Sequence, residues 1–161
     1  MQPSIDELLA LDVLTLRDHT ERAGAVFSVD QHRESLYKAV ETSVVCAVRR
    51  DGALVAYSML RPEAGDCWFV GAFGTHPEHR TYAVMHELFG KIAALAVERN
   101  ISTLRSHVYK TNQLSIAFHR KLGFEVTREN DRAFEFFVKL DDMRAKPVVR
   151  RVIARLSSTA R

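Results

Sequence analysis

A single apolar run near the middle of the chain constrains the fold more than any other feature. Residues 67–73 are apolar at successive positions, which is typical of a strand that is buried on both faces. The run ends at Thr75-His76-Pro77, and the next segment has the periodicity of an amphipathic helix. The apolar face of that helix carries Met85, Leu88, Phe89, Ile92 and Ala96. The pattern predicts a central strand that passes directly into a helix packed on the sheet.

The elements around this unit predict an α/β fold of the α+β type. Upstream, residues 44–59 alternate in hydropathy around an Asp51-Gly52 turn, which is typical of an antiparallel hairpin. Downstream, a strand at Thr103–Tyr109 leads into a helix capped by Asn112 and stopped by Gly123. A second hairpin is predicted at residues 124–127 and 133–140. We therefore expect a mixed sheet covered by helices.

The start of the chain is predicted as helices with one short strand. Ser4 and Glu7 have the spacing of a capping box, which predicts a short helix through Leu9. Residues 13–16 are predicted as a strand. A polar helix is predicted from Thr20 to residue 27, and Asp30 is predicted to cap another.

The charge of the chain is divided between a mildly acidic body and a basic tail. The net charge is +3, but residues 144–161 contain six basic residues and no acidic one. The first 143 residues therefore carry 17 basic and 20 acidic groups, so no nucleic-acid-binding surface is expected. A helix in the tail would place Val149, Val152, Ile153 and Leu156 on one side. We expect this side to pack on the body or on a second subunit, as in a homodimer; the alternative is contact with an anionic membrane surface.

The composition limits the class of protein. With 161 residues, 47% of them hydrophobic and 27% charged, the chain is typical of one globular domain. No apolar run reaches the length of a membrane span, and the first residues lack the pattern of a signal peptide. These features predict a cytoplasmic protein.

The junction between the central strand and the following helix carries the first sign of a binding site. The first amides of a helix have no partner within it, and together with the helix dipole they attract a phosphate or diphosphate. Arg80 adds a positive charge at this junction. His76, His79 and His86 lie nearby but lack a metal-binding signature, so an anion site and no metal site is predicted.

Three segments together resemble one protein family. The segment Asn112-Gln113-Leu114-Ser115-Ile116-Ala117-Phe118-His119-Arg120-Lys121-Leu122-Gly123-Phe124 resembles the Asn-x-x-Ala-x-x-x-Tyr-x-x-x-Gly-Phe stretch of the GCN5-related N-acetyltransferase (GNAT) superfamily. Residues 75–88 resemble its Val-x-Pro-x-x-Arg-x-x-Gly-x-Gly/Ala element, and residues 14–21 resemble its first strand and helix. The resemblance implies a mixed, mostly antiparallel sheet of six to seven strands with helices on both faces. It places an acyltransferase domain at 13–143, after an N-terminal extension (1–12) and before the basic tail (144–161).

The resemblance also implies the residues that bind the cofactor. Main-chain groups of Phe73 and Thr75 would pair with the pantetheine arm of acyl-CoA, and Arg80 would open the diphosphate loop. Asn112 and Ser115 would contact the cofactor from the following helix. The amides that would hold the diphosphate belong to Thr81, Tyr82, Ala83, Val84 and Met85.

Three positions within the matching segments depart from the family pattern. Ala83 and Met85 stand where the family prefers glycine and then glycine or alanine, and an added side chain narrows such a loop. His119 stands where many members have the tyrosine that protonates the leaving thiolate. An imidazolium can donate that proton, so His119 is the predicted catalytic residue. The alternative is a helix histidine without a catalytic role.

The function implied by the resemblance is N-acyl transfer. The chain would move an acetyl or other acyl group from acetyl-CoA (acyl-CoA) to a primary amine of a small molecule, by direct attack in a ternary complex and without a metal. The alternative is a non-catalytic domain of the same fold that acts as an interaction module through its basic tail.

Overall fold

A computed structural model describes residues 1–151 and 154 of the chain. Its strands are β1 (Val44–Arg50), β2 (Ala53–Pro62), β3 (Cys67–Thr75), β4 (Thr103–Tyr109), β5 (Glu125–Glu129) and β6 (Ala133–Lys139). Its helices are α1 (Ile5–Arg22), α2 (Val29–Thr42), α3 (Tyr82–Glu98), α4 (Gln113–Lys121) and α5 (Leu140–Arg144). Within this part of the chain, no helix is long and apolar enough to cross a membrane.

The six strands form one mixed sheet in the order β1-β2-β3-β4-β6-β5. Strands β3 and β4 are parallel, and every other neighbouring pair is antiparallel. The prediction of a mixed, mostly antiparallel sheet is thereby confirmed. Helices α1 and α2 cover one face over β2 and β3, and α3 covers the other face over β1 and β2.

The predicted strand at residues 13–16 is wrong, because α1 is one continuous helix. Its capping box at Ser4 is confirmed: the Ser4 hydroxyl accepts from the Glu7 amide, and the Glu7 carboxylate accepts from the Ser4 amide. Leu8, Leu11 and Asp12 are buried at a spacing of three to four residues, and this period of the core face outweighs the short apolar run at 13–16. The expected domain start at residue 13 falls inside this helix.

The predicted helix from Thr20 to residue 27 is also wrong. Helix α1 ends at Arg22, and the chain turns at Gly24 with φ +81°, a conformation that glycine adopts without strain. Helix α2 then begins two residues earlier than predicted, because the Ser28 hydroxyl, rather than Asp30, caps it by accepting from the Gln31 amide.

A buried polar cluster joins α1 and α2 to the sheet. The carboxylate of Asp12 accepts a hydrogen bond from the Tyr57 hydroxyl at 2.5 Å and contacts His32 Nε2 at 2.7 Å. Asp12 is only 2% exposed, so its charge is satisfied by these two partners. Burial, and the neighbouring Asp12, raise the pKa of Tyr57 far above its ordinary value.

The described part of the basic tail packs on the domain. Residues 147–151 are helical, and Val148 and Val149 lie against the core on the α3 side of the sheet. The remainder of the predicted tail helix, including Val152, Ile153 and Leu156, lies outside the described residues.

Candidate functional site

Strands β3 and β4 separate halfway along their length. They pair from Cys67 to Val70 of β3, opposite Thr103 to Ser106 of β4. On the other edge of β3, Met59 pairs with Ala72 and the next residue of β2 pairs with Val70, so Gly71 is an extra residue in a β-bulge. The bulge directly follows Val70, the last residue of β3 that pairs with β4. Within the described chain, residues 71–75 of β3 and 107–109 of β4 therefore have no strand partner across the gap.

A cleft of about 220 Å³ lies at the open end of this gap. Its walls come from α1, the end of β3, the start of α3 and the first turns of α4. The lining residues are Thr15, Leu16, His19, Phe73, Gly74, Thr75, Arg80, Met85, Asn112, Leu114, Ser115 and Phe118. Six of the ten residues predicted to bind the cofactor line this cleft, namely Phe73, Thr75, Arg80, Met85, Asn112 and Ser115. The other four, Thr81, Tyr82, Ala83 and Val84, do not line it, and neither does the predicted catalytic residue His119.

Helix α1 lies close to the end of β3. A Cβ atom at Gly74 would lie 3.4 Å from the Tyr57 ring and 3.7 Å from the Thr15 hydroxyl. The Thr111 hydroxyl also donates to the His19 carbonyl at 2.8 Å, which ties α1 to the loop after β4. The close approach of Thr15 to Gly74 and the hydrogen bond between Thr111 and His19 place α1 across the gap, where it forms one wall of the cleft.

The start of α3 has fewer open amides than the sequence predicted. Thr81 caps the helix, because its hydroxyl accepts from the Val84 amide at 3.3 Å and its carbonyl accepts from the Met85 amide at 3.1 Å. The Thr81 amide itself donates to the His79 carbonyl at 2.7 Å. The Ala83 amide lies at the second helical position, where a helix has no carbonyl of its own to offer.

Met85 lies in the cleft rather than in the core. The residues of α3 that are buried are Val84, Leu88, Leu95 and Ala96, so the core face of the helix is rotated away from Met85. The Met85 sulfur instead accepts a hydrogen bond from the Thr75 hydroxyl at 3.5 Å. The side chain consequently narrows the cleft between the end of β3 and the start of α3.

Comparison with known proteins assigns the family. The model of the acetyltransferase (GNAT) family matches residues 11–124, which is most of the chain. The chain belongs to the GNAT family. Membership of this family supports acyl transfer in general as the activity of the chain, and GNAT enzymes use acetyl-CoA as the acyl donor. No curated protein sequence matches the chain.

Solved structures share the GNAT fold at low sequence identity. The PaiA N-acetyltransferase of Thermoplasma acidophilum, in complex with coenzyme A, is 14% identical with a TM-score of 0.69, over 84% of this chain and 92% of that one. An aminoglycoside 6'-acetyltransferase type Ii is 16% identical with a TM-score of 0.65, over 84% and 89%. The ribosomal-protein-S18-alanine N-acetyltransferase of Escherichia coli is 13% identical with a TM-score of 0.63, over 84% and 86%. These likenesses show that the chain has the GNAT fold.

Asn112 and Ser115 lie on the α4 wall of the cleft. The Asn112 side-chain oxygen accepts from the Ser115 amide at 3.1 Å, so the predicted cap of α4 is confirmed. With its oxygen engaged, the Asn112 side chain can offer its NH₂ group to a molecule in the cleft. Within the described residues, no group of three His, Cys, Asp or Glu side chains is placed to hold a metal ion.

His119 lies behind the cleft in a closed environment that does not favour the predicted role in protonating a thiolate. It is 9% exposed and stacks on Phe136 with ring centroids 4.8 Å apart. Its Nδ1 lies 2.7 Å from the Ser115 carbonyl, which can only accept, so Nδ1 carries the proton. Its Nε2 lies 2.8 Å from the Ser106 hydroxyl and accepts from it. Burial lowers the pKa of His119, which favours this neutral imidazole with no proton to spare.

His19 is a cleft residue that sequence reasoning missed. Its Nδ1 is buried without a hydrogen-bond partner among the described residues, although buried polar atoms are usually paired. Thr15 and His19 are one helical turn apart on the face of α1 that lines the cleft. This spacing would have indicated His19 if residues 5–22 had been interpreted as one helix.

Three phenylalanine rings close the inner end of the cleft. Phe73 of β3 lies 5.5 Å from Phe118 of α4 and 5.9 Å from Phe89 of α3, between ring centroids, and the last two rings are 5.5 Å apart. Behind these rings is a second cavity of about 110 Å³, which we call the apolar chamber. Phe73 and Phe118 line both the cleft and the chamber.

Proposed function

We propose that this GNAT-family protein transfers an acyl group from acyl-CoA to a primary amine of a small molecule. The observation that carries the proposal is the gap between β3 and β4, which opens beside the start of α3. The unpaired edge of β3 at Phe73 and Thr75 can accept an extended pantetheine arm as an added strand. The start of α3 then lies at the correct end of that arm to receive the diphosphate.

The diphosphate site in this proposal consists of Arg80 and the first turn of α3. Arg80 lines the cleft and supplies a positive charge, and the Ala83 amide supplies a donor. The Val84 amide is held by the Thr81 hydroxyl, so a rotation of that side chain would release a second donor toward the anion. Asn112 and Ser115 would contact the cofactor from the α4 side of the cleft.

The reaction in this proposal is a direct attack of the amine on the thioester. The amine nitrogen forms a bond to the carbonyl carbon, the carbon–sulfur bond breaks, and coenzyme A leaves as its thiolate. The nitrogen loses one proton to a base, and the thiolate takes up one proton from solvent.

We assign the base to His19. Among the residues that line the cleft, it is the one histidine, a residue type that acts as a general base, and its Nδ1 has no hydrogen-bond partner in the described part of the protein. The acceptor amine would approach along the α1 wall, where Thr15 and Leu16 flank His19.

Thermal unfolding with and without acetyl-CoA tests the proposal. A ligand at about 100 times its dissociation constant adds about 2.7 kcal/mol to the stability of a protein that binds it only when folded. We expect a rise in the melting temperature with acetyl-CoA and with free coenzyme A, and none with adenosine. A panel of primary amines then identifies the acceptor through release of the coenzyme A thiol. Absence of any shift with either cofactor would refute the enzyme and favour the interaction module.

A further inference from the structure

The two faces of the sheet differ sharply in chemistry where β3 and β4 separate. On one face, the Arg105 guanidinium donates to Glu63 at 2.9 Å and to Glu135 at 2.7 Å, and lies 5.1 Å from the centre of the Phe69 ring. On the other face, the neighbouring side chains Val70 and Leu104 are apolar and line the apolar chamber. A group that emerges from the gap therefore meets ion pairs on one side and hydrocarbon on the other.

The apolar chamber is formed between α3, α4, the sheet and the segment that follows β6. Apolar side chains make up its lining apart from His119 and Arg144. The outer wall comes from Leu140, Met143, Arg144, Val148 and Val149, all of which lie beyond the residues that match the family model. Protein interiors rarely contain voids larger than a water molecule, and apolar voids take up apolar ligands. The chamber is thus closed on its outer side by the segment that follows β6.

The direction of the cofactor determines what would reach the chamber. A diphosphate at the start of α3 and a pantetheine arm along Thr75 and Phe73 bring the thioester toward Val70. There, hydrogen bonding between β3 and β4 closes the gap, so an acyl chain longer than acetyl must leave the plane of the sheet. On the charged face, methylene groups would displace the ion pairs of Arg105. On the other face, they meet the rings of Phe73 and Phe118, whose centroids are 5.5 Å apart, and these two side chains must turn aside to admit the chain.

We propose that the preferred donor carries a medium-length acyl chain, and that the apolar chamber binds the alkyl part of that chain. This inference rests on the proposed acyl transfer and adds the identity of the acyl group. The transfer step is unchanged, because the chain beyond the carbonyl takes no part in bond making or breaking. The amine is left to approach from the charged face, on the side of the sheet opposite the alkyl chain.

The test is a comparison of dissociation constants for coenzyme A and for its acetyl, butyryl, hexanoyl and octanoyl thioesters, by calorimetry. Each methylene that enters the chamber is expected to tighten binding about fourfold, until the chamber is filled and the affinity levels off. In Ala93→Phe, a ring is added at the wall of the chamber, so this gain should disappear while acetyl-CoA binds as before. Ala94→Phe is the matched control, because Ala94 is the next residue on α3 and is exposed, as Ala93 is, but does not line the chamber.

The outcomes separate this inference from the proposed function. Equal affinity for acetyl-CoA and hexanoyl-CoA would overturn the inference and leave the proposed function intact. The same holds if the tighter binding of longer chains is lost in Ala94→Phe as well as in Ala93→Phe. Failure of every thioester to bind would overturn the proposed function itself. If Ala93→Phe does not fold, Val149→Phe closes the chamber from the opposite wall and must give the same loss.

Discussion

The Nε2 atom of His119 lies 2.8 Å from the hydroxyl oxygen of Ser106. This hydrogen bond joins α4 to β4 behind the cleft, just where β4 parts from β3. The other ring nitrogen of His119 is bonded to the Ser115 carbonyl, so the imidazole is fixed at both ends. Its position is that of a structural link that keeps the wall of the cleft in place.

Replacing His119 with glutamine is expected to lower stability more than activity. Loss of the buried imidazole leaves Ser106 without its partner and should reduce the free energy of unfolding by about 1–3 kcal/mol. The rate constant kcat with a saturating amine should stay within a few-fold of the parent value. Urea unfolding and thiol release measure the two effects. A large loss of kcat with unchanged stability would restore His119 as the acid of the reaction.

The lowered pKa of His119 also predicts how stability depends on pH. Burial holds the folded pKa below the ordinary value of 6.5, so the unfolded chain binds a proton more readily than the folded chain. The stability contribution is fully present above pH 6.5 and is lost as the pH falls from 6.5 through the folded pKa. Urea unfolding from pH 8 to pH 5 should show this loss in the parent, and a smaller one in His119→Gln.

Replacing His19 with glutamine tests the proposed base. We expect kcat to fall by about 100-fold or more, because a positioned base contributes on that scale. The KM for acyl-CoA should change little, since the cofactor is bound by other groups. His107→Gln provides the contrast, because His107 is a half-exposed histidine near Glu135 on the charged face. If His107→Gln loses the activity and His19→Gln keeps it, the assignment of the base is wrong.

Arg80 is expected to bind the diphosphate by its charge. Arg80→Ala should raise the dissociation constant for coenzyme A about tenfold and reduce the salt dependence of binding. Arg99→Ala is the matched control, because Arg99 lies at the opposite end of α3 and pairs with Glu98. Similar behaviour of the two variants, measured by calorimetry at two salt concentrations, would exclude a specific contact.

Met85 is expected to weaken cofactor binding. Met85→Ala removes the side chain that narrows the cleft beside Thr75, and should tighten coenzyme A binding by roughly 1 kcal/mol, about fivefold. Val97→Ala changes an exposed position of the same helix and controls for helix propensity. Weaker binding in Met85→Ala would mean that the thioether supports the cofactor.

Local patterns predicted most of the sheet and the framework of the site. The hairpins, the central strand and the cap at Asn112 follow from alternation, turn residues and capping chemistry, which act over a few residues. The existence of helix α3 followed from the apolar periodicity that begins at Met85, whereas its cap at Thr81 was not predicted. The prediction of a strand at residues 13–16 failed because a short, mostly apolar run of four residues does not distinguish a strand from part of a helix. The buried face of α1 extends over residues 8–12.

The geometry of the site depends on contacts that the sequence does not reveal. The separation of β3 from β4 begins next to the bulge at Gly71, which exists only through the pairing of β3 with β2. Met85 faces the cleft because the packing of Val84 and Leu88 sets the rotation of α3. The environment of His119 likewise depends on Ser106 and Phe136, which come from two different strands.

Helix α1 is one continuous helix whose two halves have different roles. Its first half fills the interior with Leu8 and Leu11, and its second half presents Thr15 and His19 to the cleft, where we propose that the amine binds. Selection among acceptor amines at the α1 wall would then depend on the preformed surface of a helix rather than on a loop that folds over the bound amine. Mutations that broaden the acceptor range without loss of folding should therefore concentrate on the opposite rim, around the exposed Leu114.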